Sequence, residues 1–286
     1  MPKLSVIILS YNTAEVTKQC LQSLFKSLNS DPSLDYEVIV VDNGSKDNSM
    51  ETLEKIHQAH NFLKVVKNTE NTGFPKGNNQ GLKLASGKYI LFLNSDVIID
   101  KVRFGQLLNY FDSRPEVGAM TVRVNLKDGS IDPASHRGFP TLWNSFCYFL
   151  KLEKLGKPFA GYHLNYLDLS TIHEIDSPSG AFYLARKDVL DKVGGFDTDY
   201  FMYGEDLDLS YRIKDLGYKI IYYPLFKVTH LKYTSGLKTD GETKRQTKKH
   251  FYDAMKIFYK KHYDSQHPTI LNWIIYLMID GKNKIA

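Results

Sequence analysis

The sequence predicts an α/β fold: one mostly parallel central sheet with helices on both faces, followed by a helical extension. Two observations carry this reading. Over the first hundred residues, short apolar runs of the buried-strand type alternate with segments of helical periodicity. The runs also open into polar clusters rich in Asn, Asp, Ser and Gly, as expected where a parallel sheet binds ligand beyond its carboxyl edge. With 286 residues, 42% of them hydrophobic and 24% charged, the chain is long enough for a large core and wholesale disorder is excluded.

Residues 4–9 (LSVIIL) form the first expected strand, and Val16, Cys20, Leu24 and Leu28 then recur at helical spacing. Residues 37–41 (EVIVV) and 63–66 (LKVV) read as the next two strands, 77–85 as a helix, and 88–93 (KYILFL) as the fourth strand. Residues 125–175 are poorly periodic and rich in aromatics, Gly and Pro, which suggests an irregular excursion over the sheet. The pattern resumes with a strand at 179–185, a short helix at 186–194 and a Gly-Gly-Phe-Asp turn. A helix at 205–217, closed by Gly217, and a last strand at 218–224 follow. The expected division is a domain over 1–240 and a basic amphipathic helical extension over 241–286.

Cys20 and Cys147 are too few for a disulfide framework and match no zinc spacing, so a reducing compartment is expected. The start of the chain shows no cleavable signal, and no run reaches the roughly 18 apolar residues of a spanning helix. The expected location is cytoplasmic, with peripheral contact on the inner face of the cell membrane. Charge is uneven. Residues 1–226 hold 25 Lys and Arg against 27 Asp and Glu, whereas residues 227–286 hold 12 against 5. A nucleic-acid binder would spread its basic charge along the fold, so none is expected here. The basic tail ends in ILNWIIYLMI (270–279), which spans about 15 Å as a helix and cannot cross a bilayer. Two readings stay open for it: contact with an anionic membrane surface, or packing on the domain or on a second subunit as a homodimer.

Four polar clusters carry the chemistry: Ser10-Tyr11-Asn12, Asp42-Asn43-Gly44-Ser45, residues 71–79 (NTGFPKGNN) and Asn94-Ser95-Asp96. A carboxylate at the end of a buried strand is costly unless paired, and the N3–H of uracil or thymine is a suitable partner for Asp42. Gly73 and Gly77 let backbone approach a phosphate, and Lys76 at the mouth of a helix adds complementary charge. Asp96 suits Mg²⁺ or Mn²⁺ held against a diphosphate. Either aspartate taken alone also reads as the cap of a turn or helix. Glu205, Asp206 and Asp208 follow Gly204 beside Tyr200 and Tyr203, an arrangement that fits a general base next to a sugar platform. Acidic residues at a helix start are also explained by the helix dipole. Neither G-x-G-x-x-G nor a Walker loop follows a strand, which disfavours dinucleotide and P-loop chemistry.

With these motifs in order, the chain resembles an inverting family 2 glycosyltransferase of the branch that includes bacterial rhamnosyltransferases. The likeness runs from residue 4 to about residue 235. It rests on SVIILSYN, VIVVDNGSKDNS, NTGFPKGNNQGL, YILFLNSD, SGAFYLARKDVLDKVGGFD, FMYGEDLDLSYRIKDLGY and VTH at 228–230. The resemblance implies a GT-A type fold, Asp42 on the nucleobase, and Asn94-Ser95-Asp96 in place of the family's D-x-D. It also implies Asp206 as catalytic base and His230 beside Asp96 as metal ligand. The expected donor site comprises Tyr11, Asn12, Asp42, Asn43, Gly73, Phe74, Lys76, Gly77, Asn78, Asn94 and Ser95, with Gly180 and Glu205 on the acceptor side. The implied reaction is metal-dependent, inverting transfer of a sugar from a nucleoside diphosphate donor. Rhamnose on dTDP is favoured, and a UDP-sugar fits Asp42 equally. The acceptor would be a saccharide or lipid-linked saccharide in cell-surface polysaccharide or glycolipid assembly. Asn94 departs from the family pattern and removes one negative charge from the metal corner. A nucleotidyltransferase would need a Gly-rich cationic loop after the first strand, which Ser10-Tyr11-Asn12-Thr13 is not. A non-catalytic nucleotide-sugar-binding protein would not need the intact Glu205-Asp206.

Overall fold

A computed structural model describes residues 2–232 and 241–285. The first strands are β1 (Leu4–Ser10), β2 (Tyr36–Asp42), β3 (Leu63–Lys67), β4 (Tyr89–Asn94) and β5 (Val97–Asp100). The helices among and after them are α1 (Ala14–Leu28), α2 (Ser49–Ala59), α3 (Phe74–Leu84) and α4 (Phe104–Asp112). Then come β6 (Val117–Leu126), α5 (Leu142–Phe149), β7 (His173–Ile175), β8 (Phe182–Arg186), α6 (Lys187–Val193), α7 (Glu205–Asp215) and β9 (Lys219–His230). The tail holds α8 (Gly241–His262) and α9 (Thr269–Ile285).

The described strands form one mixed sheet in the order β3-β2-β1-β4-β8-β6-β9-β5, with β7 on β9. β1, β2, β3 and β4 pair in parallel, as the strand–helix alternation predicts, and β6 pairs in parallel with β9. β8 runs antiparallel between β4 and β6. Both faces of the sheet are covered. Along β1, Val6 and Ile8 pack with Cys20, Leu24 and Leu28 of α1, while Ile7 joins Ile39, Phe92 and Leu209 on the other face. Burial on both faces is why the strand reads as an unbroken apolar run and not an alternating one. The excursion holds one short α-helix, α5, with short 3-10 turns at Pro133–Ser135, Leu152–Leu155 and Lys157–Phe159, and it ends in β7. α2, β5, α4, β6 and β7 lie outside the expected elements; β5 is only four residues long, whereas α4 repeats Phe104, Leu107, Leu108 and Phe111 at helical spacing.

The tail is part of the body. Tyr200 and Leu207 share a buried cluster with Ala254, Phe258, Tyr259 and Tyr263 of α8 and the turn after it. His262 Nε2 lies 2.8 Å from Asp208 Oδ1, and the buried Asp208 also accepts from Arg212. The domain boundary expected at 240–241 abuts residues 233–240, which lie outside the described residues. On the described side of it, α8 packs on α7 as a wall of the same unit.

Candidate active site

A cavity of about 1420 Å³ opens beyond the carboxyl ends of β1 and β4. Tyr11, Asn12, Asn43, Gly73, Phe74, Asn94, Ser95 and Asp96 line it from the first half of the chain, and Gly180, Glu205, Asp206 and His230 from the second. Parallel pairing of β1 with β2 and β4 brings Ser10 beside Asp42 and Leu9 beside Asn94, so three of the four polar clusters meet at one edge. The fourth follows β3 and closes against the loop before α7. There Phe74 N–H donates to Phe201 O at 2.8 Å, and Gly73 lies so close that a Cβ would meet that oxygen at 2.7 Å.

On the donor side, Asn12 sits at a left-handed φ of 54°. Its amide donates to Ser45 Oγ at 2.8 Å and its Oδ1 accepts Lys46 N–H at 2.7 Å, stitching the ends of β1 and β2 together. Asn43 donates to Asn71 Oδ1 and to Gly73 O, while its own oxygen accepts from Asn68 and Thr72. That one amide organises the glycine-bearing loop. Asp42 is fully buried; Oδ1 accepts Ser45 N–H at 2.9 Å, the turn-capping role open to any aspartate there. Its Oδ2 has no partner among the described residues. An unsatisfied buried carboxylate oxygen is costly, which marks it as an acceptor awaiting a donor.

Asp42, Lys76, Gly77 and Asn78 do not line the cavity. Lys76 is exposed and borders a separate depression with Thr72, Gln80 and Lys83. Gly77 serves packing: a Cβ there would lie 2.3 Å from Leu9 Cδ1. Asn78 is buried, and its amide donates to Phe74 O within α3 at 3.0 Å. α3 presses its glycine face on β1, and this turns Lys76 away from the cleft. Tyr200, expected beside the carboxylates, is buried against α8, whereas Tyr203 does reach the cleft.

Asp96 and His230 meet because β5 runs antiparallel to β9, with Val97 opposite His230. His230 Nε2 stands 3.2 Å from Asp96 Oδ1, and Nδ1 stands 3.0 Å from Asp132 Oδ2. Burial would lower the imidazole pKa, but the bonds to Asp132 and Asp96 raise it to about 9. Among the described residues no group of three or more His, Cys, Asp or Glu is placed to hold a metal. The residues that would hold an ion here are Asp96 and His230, the latter with the Asp132 carboxylate on its other nitrogen, as metal-bound histidines often have. Two such ligands suit a Mg²⁺ or Mn²⁺ whose remaining positions are taken by diphosphate oxygens and water.

The acidic pair starts α7, just after Tyr203 and Gly204, both at positive φ. Asp206 Oδ2 accepts from Arg137 at 2.7 Å and from Gly180 N–H at 3.2 Å, and Oδ1 accepts from Leu207 N–H at 2.8 Å. Gly180 therefore orients Asp206; a Cβ on it would also meet Phe74 at 3.1 Å. Glu205 differs: its Oε2 is buried without a partner among the described residues. Burial, then the adjacent Asp206 carboxylate, push its pKa up to about 8. Arg137 and Asp132 went unnoticed in the sequence. Both lie in the aperiodic excursion, where only the polar run Ser135-His136-Arg137 amid aromatics marks the place.

Residues 5–167 match the family model described as Glycosyl transferase family 2, and residues 89–279 the one described as Glycosyl transferase family group 2. Poly-beta-1,6-N-acetyl-D-glucosamine synthase of Staphylococcus aureus (strain COL) is 27% identical over 225 residues, 78% of this chain and 48% of that protein. The synthase of the same name from Staphylococcus epidermidis is 27% identical over 224 residues, covering 77% and 48%. The chain thus spans about half the length of the curated relatives it matches. Among solved structures, the mannosyltransferase PcManGT from Pyrobaculum calidifontis, in complex with GDP-Man and Mn²⁺, superposes with a TM-score of 0.59 at 19% identity. That match covers 100% of this chain and 70% of the other. TarS of S. aureus superposes with a TM-score of 0.57 at 21% identity over 89% of this chain and 38% of its own. At such identities the likeness speaks for the fold, the GT-A type expected from the sequence.

Proposed function

The chain belongs to glycosyl transferase family 2, whose model matches more than half of it, and from this we propose that it is an inverting sugar transferase. Its donor is a pyrimidine nucleoside diphosphate sugar, dTDP-rhamnose or a UDP-sugar, and its acceptor a saccharide hydroxyl in polysaccharide or glycolipid assembly. The observation that carries this reading is the meeting, in one cavity, of an oriented carboxylate and the Asp96–His230 pair. Asp42 Oδ2, an unpaired buried acceptor just behind the cavity lining, takes the base N3–H once the residues that cover it move aside, and the loop organised by Asn43 closes over the phosphates.

In this mechanism the acceptor hydroxyl donates to Asp206, whose orientation Arg137 and Gly180 hold. As its oxygen bonds to the anomeric carbon, the proton passes to the Asp206 carboxylate and the bond to the diphosphate breaks on the opposite face. Mg²⁺ or Mn²⁺ bound at Asp96 and His230 would supply charge neutralisation for the departing diphosphate. A second reading has support in the geometry. Glu205, with an unpaired oxygen and a pKa raised to about 8, is protonated at neutral pH and would take the acceptor proton only once ionised, so this reading calls for a rate that rises toward pH 8, with Asp206 serving as its neighbouring charge.

Thermal shift with UDP, dTDP and GDP, each with Mn²⁺ or EDTA, tests the donor half. Selective stabilisation by the pyrimidine nucleotides, lost in Asp42→Ala, is expected. Equal loss for UDP and GDP in that variant would make Asp42 structural.

A further inference from the structure

The cavity does not end at the carboxylates. It continues between α5 and the α8–α9 pair as an apolar limb walled by Phe146, Phe149, Met255, Phe258, Ile275 and Met278. None of these six side chains offers a hydrogen bond to a sugar. We propose that this limb holds the aliphatic chain of an amphiphilic acceptor, whose sugar hydroxyl is presented to Asp206. The inference rests on the acceptor side assigned above and adds the chemical class of what fills it.

Continuity is the first support: the limb shares one cavity with Asp96, Glu205 and Asp206, so a chain seated there emerges beside the reacting groups. The mouth is the second. Phe146 and Met278 line the cavity yet are 47% and 60% exposed, which puts them at its rim. On the same two helices Trp143, Trp273, Ile274 and Leu277 are also exposed. α9 is therefore apolar toward the cavity, through Leu271, Ile275 and Ile279, and apolar on its outer stripe as well. A helix with both faces apolar and one uncovered suits the boundary of a lipid layer. No helix among the described residues is long and apolar enough to cross a membrane, so α9 would lie along the surface.

Charge is the third support. Lys282 lines the cavity and is exposed near the C-terminal end of α9, with Lys284 exposed two residues on, where they complement anionic head groups. Lys256 and Lys261 are not available for this, being paired with Asp280 and with Asp197 and Asp199. An aliphatic chain rising from an anionic surface past Met278 toward Asp206 satisfies all three observations.

The test is calorimetric titration of the full chain with methyl, octyl and decyl β-D-glucoside, each below its micellar concentration. Affinity should rise about fourfold per added methylene. Phe146→Glu and Met278→Glu, both at exposed positions, should keep the wild-type melting temperature and weaken decyl glucoside at least tenfold. Decyl glucoside binding no tighter than the methyl glycoside would overturn the proposal. So would sedimentation showing a dimer that Met278→Glu dissociates, since the face would then join two copies. UDP with Mn²⁺, titrated in the same samples, separates the two claims. A flat chain-length series with intact UDP binding removes the limb alone, and lost UDP binding with an intact series removes the donor reading alone.

Discussion

Asp206 is held by three donors, and this sets what substitution there should do. Asp206→Asn keeps the shape but cannot take a proton, so kcat should fall by about 10²–10⁴ while donor affinity changes little. Steady-state kinetics showing turnover within about tenfold of wild type would transfer the base to Glu205. Glu205→Gln makes a complementary prediction through stability. Its folded pKa, about 8, lies above the ordinary carboxylate value, so the folded protein binds this proton more tightly than the unfolded chain. Stability is then lost as pH rises from about 4.5 toward 8, where Glu205 must ionise in a buried site beside Asp206 and Asp208, opposed by a backbone N–H and by Arg137. Glu205→Gln should flatten the melting temperature between pH 5 and 9 and raise it at the alkaline end. A parallel curve for the two proteins would place the ionisation cost elsewhere. Asp42 and Asp96 stood out by residue type at strand ends, whereas Asp206 and His230 were singled out through the family resemblance; Asp96, Asp206 and His230 share one cavity, and Asp42 lies outside its lining. Arg137 did not stand out, because its importance arises from a contact 69 positions away.

The elements hold these residues through close approach of backbone, where glycine is decisive. Gly73 combines φ 85° with a backbone oxygen of Phe201 at 2.7 Å from where a Cβ would stand. Gly194 has a similar φ of 77° but open space around it. Gly73→Ala should therefore cost more than the roughly 1 kcal/mol expected for left-handed strain alone, and should also weaken UDP binding by separating the donor loop from the loop before α7. Gly194→Ala should cost about that strain and leave UDP binding intact. Chemical denaturation with a UDP titration checks both; equal effects of the two changes would mean that the Gly73–Phe201 contact is slack. The sequence placed a glycine-bearing loop before a helix correctly. It did not show that Lys76 faces away, because the rotation of α3 is set by Gly77 and Gly81 packing on Leu9 and Ile7.

For the whole molecule, the tail decides how far the enzyme can be reduced. Removing residues 241–286 would uncover Tyr200 and Leu207 and leave the buried Asp208 without His262. Large apolar side chains returned to water cost about 1.5–3 kcal/mol each. The truncated chain should melt well below the full one and bind UDP weakly, because the loop before α7 has lost its support. A truncated protein that matches the full chain in melting temperature and UDP affinity would show α8 to be an appendage. The charge imbalance of the tail was visible in the sequence. That Lys256 and Lys261 are spent on Asp280, Asp197 and Asp199 was not, since ion pairs form between surfaces that only folding brings together.

By itself the sequence determined the alternation of strands and helices in the first half, the cluster at each strand end and the acidic start of α7. Each is a local pattern of a few residues, and local patterns survive without the rest of the chain. The tertiary structure alone decided which clusters share a cavity, that Arg137 answers Asp206 and Asp132 backs His230, and that α8 and α9 wall that cavity. Those pairings depend on the antiparallel insertion of β8, the β5–β9 register and the path of an aperiodic excursion. None of the three follows from side-chain periodicity, because each is set by long-range packing against elements distant in the chain.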